Sequence, residues 1–131
     1  DFNWIRGGVS AVERSKRHGH RPALVMFVGK AGTGKHRYAR AVERALFERG
    51  RATYMLDGTN VLLGVDADLH FVDATQRELV RRFAEVSHLL LDAGLIVVST
   101  TNAIGLADYG SVQALLPDAE SIIVDVDPTA V

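Results

Sequence analysis

Gly29-Lys30-Ala31-Gly32-Thr33-Gly34-Lys35 reads as G-x-x-x-x-G-K, the pattern of a phosphate-binding loop. His36 stands where that pattern ordinarily closes with Ser or Thr. The flanks suit such a loop. Ala23-Leu-Val-Met-Phe-Val28 before it is a continuous apolar run of strand length, and an amphipathic run follows it. Strand, glycine loop and helix in that order aim backbone N–H groups and a helix N-terminus at an anion. Gly29, Lys30, Ala31, Gly32, Thr33, Gly34, Lys35, His36 and Arg37 are therefore the candidate phosphate-binding residues, with Lys35 reaching the terminal phosphates of a nucleotide. The hydroxyl normally found at position 36 holds Mg²⁺. Its replacement keeps the phosphate site and puts metal-dependent phosphoryl transfer in question. A plain glycine-rich turn is the competing reading of the same stretch.

Outward from the loop, strands alternate with helices. A helix is expected from about Gly34 to Arg49, with Tyr38, Ala41, Val42, Ala45 and Leu46 as its apolar face and Gly50 as its stop. Ala52-Thr-Tyr-Met-Leu56 reads as a second strand ending at Asp57-Gly58, and a short turn or helix and a loop fill residues 59–72. Asp73 is a candidate N-cap for a long helix to about Ala93, on which Leu79, Phe83, Val86, Leu90 and Ala93 recur at spacings of four and three. Leu95-Ile-Val-Val-Ser-Thr100 reads as a strand covered on both faces. A helix around 106–115 and a strand over Ser121-Ile-Ile-Val-Asp-Val126 complete the pattern. Before the loop, Ile5, Val9 and Val12 suit one face of a short helix packing on the body, and Trp4 suits a packing anchor. Arg14, Lys16, Arg17, His18, His20 and Arg21 form a basic cluster that reads either as a solvated surface or as an attractor of anions.

This alternation predicts a three-layer α/β domain with a parallel sheet of about four strands and a ligand site at the strands' carboxyl ends. Three loops meet there: 29–36, 57–62 and 99–105. One domain fits 131 residues, of which 47% are hydrophobic and 24% charged. A net charge of −1 argues against a nucleic-acid binder. Without cysteine there are no disulfides, thiolate metal sites or Cys nucleophiles, and a reducing, cytoplasmic setting is the expectation. No apolar run approaches the ~18–20 residues of a membrane span. The first residue is Asp1, not Met, so a fragment or one domain of a longer polypeptide is expected. The five histidines show no metal-ligand spacing.

Taken together, the loops resemble one family, the adenylylsulfate kinase domain, a P-loop NTPase-type kinase. Tyr54-Met-Leu-Asp-Gly-Thr-Asn-Val61 is similar to the family's Y-x-L-D-G-D-N-V, and Asp68-Leu-His-Phe71 to its D-L-G-F. Arg77-Glu-Leu-Val-Arg-Arg-Phe-Ala-Glu-Val86 is similar to its E-N-I-R-R-x-x-E-V stretch, and Leu91-Asp-Ala-Gly-Leu-Ile96 to its D-A-G-x-I. The resemblance implies ATP as phosphoryl donor to the ribose 3′-hydroxyl of adenylylsulfate, with Mg²⁺ bridging the phosphates. It implies Asp57, Asn60, Phe71 and Arg81 as substrate-binding residues, with Asp57 as the one catalytic or metal-binding candidate. Other readings of these residues stand beside those. Asp57 also suits a cap on the following turn. Phe71 suits core packing. Arg81 and Arg82 suit salt bridges to Glu78 or Glu85 at helical spacing, and His88 suits exposure on the polar side of the same helix.

The departures from the family fall on its chemistry. His36-Arg37 replaces Ser-Thr, Thr59 the second Asp of D-G-D-N, and Leu62 an Arg. Thr75-Gln76 replaces Asp-Arg, Leu79 an Asn, and Asn102-Ala103 a Ser-Pro. Thr59 cannot act as a base at neutral pH. Gly29, Gly32, Gly34, Asp57-Gly58, Phe71, Glu78, Arg81 and Gly94 are kept. The family also continues past the fourth strand with a lid and a fifth strand. The leading reading is a degenerate adenylylsulfate-kinase-like domain that binds ATP, ADP or another phosphate anion, with little or no Mg²⁺-dependent catalysis. Its expected partners are sulfate adenylyltransferase-type domains or subunits, or further copies of itself. An active phosphotransferase with altered Mg²⁺ ligation is the second reading, and a ligand-free scaffold or oligomerisation module the third.

Overall fold

A computed structural model describes residues 7–30, 32–57, 73–101 and 104–126. Four strands form one wholly parallel sheet: β1 (Ala23–Val28), β2 (Thr53–Asp57), β3 (Ile96–Thr100) and β4 (Glu120–Asp125), in the order β2-β3-β1-β4. The helices are α1 (Ala11–His18), α2 (Lys35–Glu48), α3 (Asp73–Asp92) and α4 (Tyr109–Leu115), the last preceded by a 3₁₀ turn at Leu106–Asp108. The expected elements that fall on described residues are present, within about two residues of their expected ends except at the N-terminus, where the helix occupies only Ala11–His18; the short turn or helix expected within 59–72 lies outside the described residues. The chain leaves β1 through α2 to one edge of the sheet, returns through α3 on the opposite face, and crosses through α4 to the other edge. Both β2 and β4 are edge strands. No helix among the described residues is long and apolar enough to cross a membrane.

The alternation of side chains along each strand sorts the core into two unequal layers. Leu24, Met26, Leu56 and Val97 point to one face. There they bury with Leu79, Val80, Phe83, Ala84 and Leu91 of α3 and with Val112 of α4. Phe27 and Val98 point to the other face, where Ala39 is the apolar residue of α2 buried with them, flanked by Val25, Val42, Leu46, Met55 and Val124. The expected apolar face of α2 is thus only partly covered. Val42 and Leu46 meet the sheet, but Tyr38, Ala41 and Ala45 line an open groove of about 500 Å³ with Phe27, Val124 and Val126. Tyr38 is 54% exposed.

α1 departs from expectation in how it docks. Its start is well capped: Ser10 Oγ accepts from the Glu13 N–H at 3.1 Å, and Glu13 accepts from the Ser10 N–H at 2.9 Å. Yet Val9 and Val12 remain 53% and 66% exposed, so the expected apolar face does not pack on the body. Polar contacts at the C-terminal end hold the helix instead. His18 Nε2 donates to the Ala93 carbonyl at 3.2 Å, and Arg51 donates to the Gly19 carbonyl at 3.0 Å. His20 Nε2 accepts the Ala52 N–H at 3.0 Å, while its Nδ1 donates to the Arg21 carbonyl at 3.1 Å. Gly94, at φ +90°, lets the His18 ring come this close: a Cβ there would stand 2.6 Å from the ring. Trp4 and Ile5 lie outside the described residues.

Candidate functional site

The loop between β1 and α2 takes the shape its glycines allow. Gly32 and Gly34 both sit at φ +86°, a region that side chains disfavour, and the turn closes with the Thr33 N–H donating to the Lys30 carbonyl at 3.3 Å. Thr33 Oγ1 donates to the same carbonyl at 2.8 Å. Gly34 precedes the first turn of α2 and its side-chain-free position caps nothing, so the amides of that turn face outward without a competing side chain. This is the geometry of a phosphate cradle.

Among the described residues, Lys35 is the one buried charged side chain. It is 2% exposed and its Nζ donates to the Gly29 carbonyl at 3.0 Å, folding the side chain back over the loop. Burial pulls its ammonium below the ordinary lysine range, and the Asp57 carboxylate opposes that shift. Lys30, Gly32, Gly34 and Arg37 are exposed around it, and Thr33 and His36 are half-buried. Asp57 ends β2 beside the loop. His36 Nε2 stands 3.5 Å from Asp57 Oδ1, with the two side chains 34% and 28% exposed. The sequence brings out both residues, but nothing in it shows that they face each other across the rim.

Two further rim residues were hidden in an apolar-looking strand. Thr100 is the register partner of both Asp57 and Phe27. Phe27 and Val98 turn toward α2, and alternation puts Thr100 and Asp57 on that same face. Thr100 is fully buried, and its Oγ1 has no hydrogen-bond partner among the described residues. Thr101 follows it, also buried. A hydroxyl at the carboxyl end of a buried strand was the available signal for both.

The remaining site candidates divide. Ala31, Asn60 and Phe71 lie outside the described residues, as do Thr59, Leu62, Asn102 and Ala103. Arg81 is held by Glu78 at 2.6 Å and by Glu85 one turn on, and Arg82 also reaches Glu78, at 2.9 Å. These bonds, from Arg81 first and then Arg82, hold the Glu78 carboxyl down at about 2. Arg81 is thus engaged along its own helix. Leu79 is a core residue at 2% exposure, packed beneath the sheet. Gln76 donates to Asp108 at 3.2 Å, which also accepts the Gly105 N–H at 3.0 Å, tying α3 to the segment after β3. His88 is half-buried rather than exposed, because its helix lies flat on the sheet.

The loop pattern implies Mg²⁺, held by a hydroxyl at position 36 together with phosphate oxygens and water. Mg²⁺ takes hard oxygen donors in octahedral geometry. Position 36 offers an imidazole nitrogen directed at Asp57 where the pattern calls for a hydroxyl. Among the described residues, no group of three or more His, Cys, Asp or Glu side chains gathers to hold an ion.

A parallel sheet carrying a glycine loop and a loop lysine at the end of β1 defines a P-loop NTPase-type fold. The sequence profile described as adenylylsulphate kinase matches residues 21–127. The chain is 41% identical over 124 residues to an adenylyl-sulfate kinase of Yersinia pestis, covering 95% of this chain and 58% of that one. It is 46% identical over 119 residues to the bifunctional enzyme NodQ of Azospirillum brasilense, covering 91% of this chain and 19% of that one. The APS kinase CysC of Mycobacterium tuberculosis, solved in complex with AMPPNP and APS, superposes with a TM-score of 0.74 at 34% identity. That match covers 82% of this chain and 63% of the solved one. The chain therefore belongs to the adenylylsulphate kinase family. It spans about three-fifths of the length of the adenylyl-sulfate kinases it matches.

Proposed function

We propose that this chain is a nucleotide-binding member of its family in which Mg²⁺-dependent phosphoryl transfer is weak or lost. One observation carries the reading: at position 36 an imidazole faces the Asp57 carboxylate at 3.5 Å, where the loop pattern has a metal-binding hydroxyl. The anion-binding parts support retained binding. The open amides at the start of α2, the buried Lys35 and the exposed Arg37 form a cationic cradle suited to the β- and γ-phosphates of ATP or the β-phosphate of ADP. Adenylylsulfate, which the solved relative holds with AMPPNP, is the second ligand to offer.

The chemistry left to these residues is binding and charge neutralisation. Lys35 would leave the Gly29 carbonyl to meet a phosphate oxygen, and its burial strengthens that interaction once made. Two features argue against activation of the attacking hydroxyl: Thr59 replaces the carboxylate, and Asp57 faces His36. Losing one charge-stabilising group in a transfer site costs about 10²–10³ in rate. A place within a larger polypeptide is supported by the Azospirillum relative, a bifunctional enzyme of which the matched region is 19%.

The test is a phosphoryl-transfer assay with ATP and adenylylsulfate on the chain and on His36→Ser combined with Thr59→Asp. The proposal expects little or no turnover from the chain and a gain of about 10²-fold or more from the double variant. Turnover by the unaltered chain that matches or exceeds the double variant would contradict it and favour the active reading.

A further inference from the structure

The fully buried Thr100 hydroxyl has no hydrogen-bond partner among the described residues of the ligand-free chain. We infer that Thr100 is a positioning residue of the nucleotide site: its hydroxyl donates to the Asp57 carboxylate when the phosphates of a nucleoside diphosphate or triphosphate enter the cradle. The inference rests on the nucleotide-binding reading above and adds to it a residue that the loop pattern does not contain.

The sheet limits what this hydroxyl can meet. Thr100 lies on β3 between β2 and β1, in register with Asp57 on one side and Phe27 on the other. All three side chains belong to the face that carries α2. Phe27 has no polar side-chain atom, so Asp57 is the acceptor in register with the hydroxyl. Neighbouring strands lie about 4.8 Å apart, a spacing at which a threonine hydroxyl and a carboxylate on one face meet after one side chain changes rotamer. Thr100 is 0% exposed, which shuts out bulk water as a substitute. Buried polar groups rarely go without a partner, and those that do in the free protein are found where a ligand or a moving group completes them.

Asp57 has cause to change partners. Its carboxylate faces the His36 imidazole at 3.5 Å, longer than the ~2.7–2.9 Å of a charge-assisted hydrogen bond, so the contact yields readily. The Lys35 ammonium also feels its charge. A phosphate in the cradle draws Lys35 from the Gly29 carbonyl and competes with Asp57 for Lys35 and His36 alike. A carboxylate left without a donor beside bound phosphates would oppose nucleotide binding, because like charges in a partly buried site are poorly screened. Thr100 offers that donor and gives up no other bond among the described residues to do so.

The experiment is a double-mutant cycle on ADP affinity. Calorimetry in EDTA compares the unaltered chain, Thr100→Val, Asp57→Ala and the two combined, with Thr100→Ser as the conservative variant. Thr100→Val keeps the shape and removes the hydroxyl. It should bind ADP about 10-fold more weakly, while Thr100→Ser stays within about threefold of the unaltered chain. In the Asp57→Ala background, Thr100→Val should change the affinity by less than about twofold. A packing role alone would not depend on Asp57 in this way. Unchanged ADP affinity in Thr100→Val overturns the inference and leaves nucleotide binding standing. So does an equal loss with and without Asp57, or a loss in Thr100→Ser as large as in Thr100→Val. If ADP does not bind the unaltered chain, both readings fall. Should a variant not fold, proton NMR of the unaltered chain decides. The Thr100 hydroxyl proton should become slow to exchange and visible once ADP is bound, and its absence with ADP bound contradicts the inference.

Discussion

The sheet face beneath α3 and the rim where β1, β2 and β3 end are made of opposite materials. Beneath α3, Leu24, Met26, Leu79, Phe83 and Val97 bury against one another with little polar content beyond Ser87. At the rim, beyond the apolar ends of β1 and β2, the buried groups include Lys35, Thr100 and Thr101, one charged and two hydroxyl-bearing. Burial stabilises the first region and costs free energy in the second, since an ammonium is expensive to take out of water and the Thr100 hydroxyl has no hydrogen-bond partner among the described residues. The difference teaches where to look for function. Changes to α3 should move stability and leave ligand affinity alone, and changes to the rim should do the reverse.

The largest separation should come from Phe83→Ala. It truncates a side chain 1% exposed and should cost about 3–5 kcal/mol in denaturant unfolding, while ADP affinity of the folded fraction stays unchanged. Gly94→Ala comes next. It forces a Cβ to within 2.6 Å of the His18 ring at φ +90°, and should cost about 1–3 kcal/mol and loosen α1, read as faster amide exchange at His20 and Ala52. Lys35→Met inverts the pattern. It should weaken ADP by about 1.5–3 kcal/mol in calorimetry, yet leave the ligand-free chain as stable or more so, because a buried charge is gone.

The effects of pH sharpen the same contrast in opposite directions. Glu78 is depressed to about 2 by its arginines, so its contribution is present above the ordinary Glu range and fades as pH falls from about 4.3 toward 2. Glu78→Gln should flatten that acid limb in thermal unfolding, modestly, since the network is on the surface. The Lys35 ammonium is depressed by burial, so the unfolded chain holds that proton more tightly than the folded one. Stability of the ligand-free chain should therefore rise with pH through the alkaline range below the ordinary lysine value, and Lys35→Met should remove the rise. The smallest expected effect is Thr100→Val, within about 1 kcal/mol of neutral in denaturant unfolding, because the deleted hydroxyl has no partner among the described residues.

The two regions were also unequally legible in the sequence. The core pattern translated directly into structure: the spacing of Leu79, Phe83, Val86 and Leu90 marked the buried side of α3, and the run 95–100 marked a central strand. Leu79 shows the limit of matching by family position. It stands where the family has a substrate-binding Asn, and here it is core. At the N-terminus, Val9 and Val12 read as a packing face but stay exposed, because histidines and Arg51 anchor α1 from its other end, and single-residue polar docking leaves no periodic trace. At the rim, the loop and Asp57 were legible one by one. Their meeting depends on register between β2 and β3 and on the direction of the first turn of α2, which are properties of the folded sheet.

The most direct test of the account is calorimetric titration of the chain with ADP in the presence and absence of Mg²⁺. The account predicts binding of similar affinity in both, with ADP at 100 times its Kd adding about 2.7 kcal/mol of stability either way. Binding that appears only with Mg²⁺ would contradict it, since a residue at this rim would then be doing the work of the hydroxyl that His36 replaces.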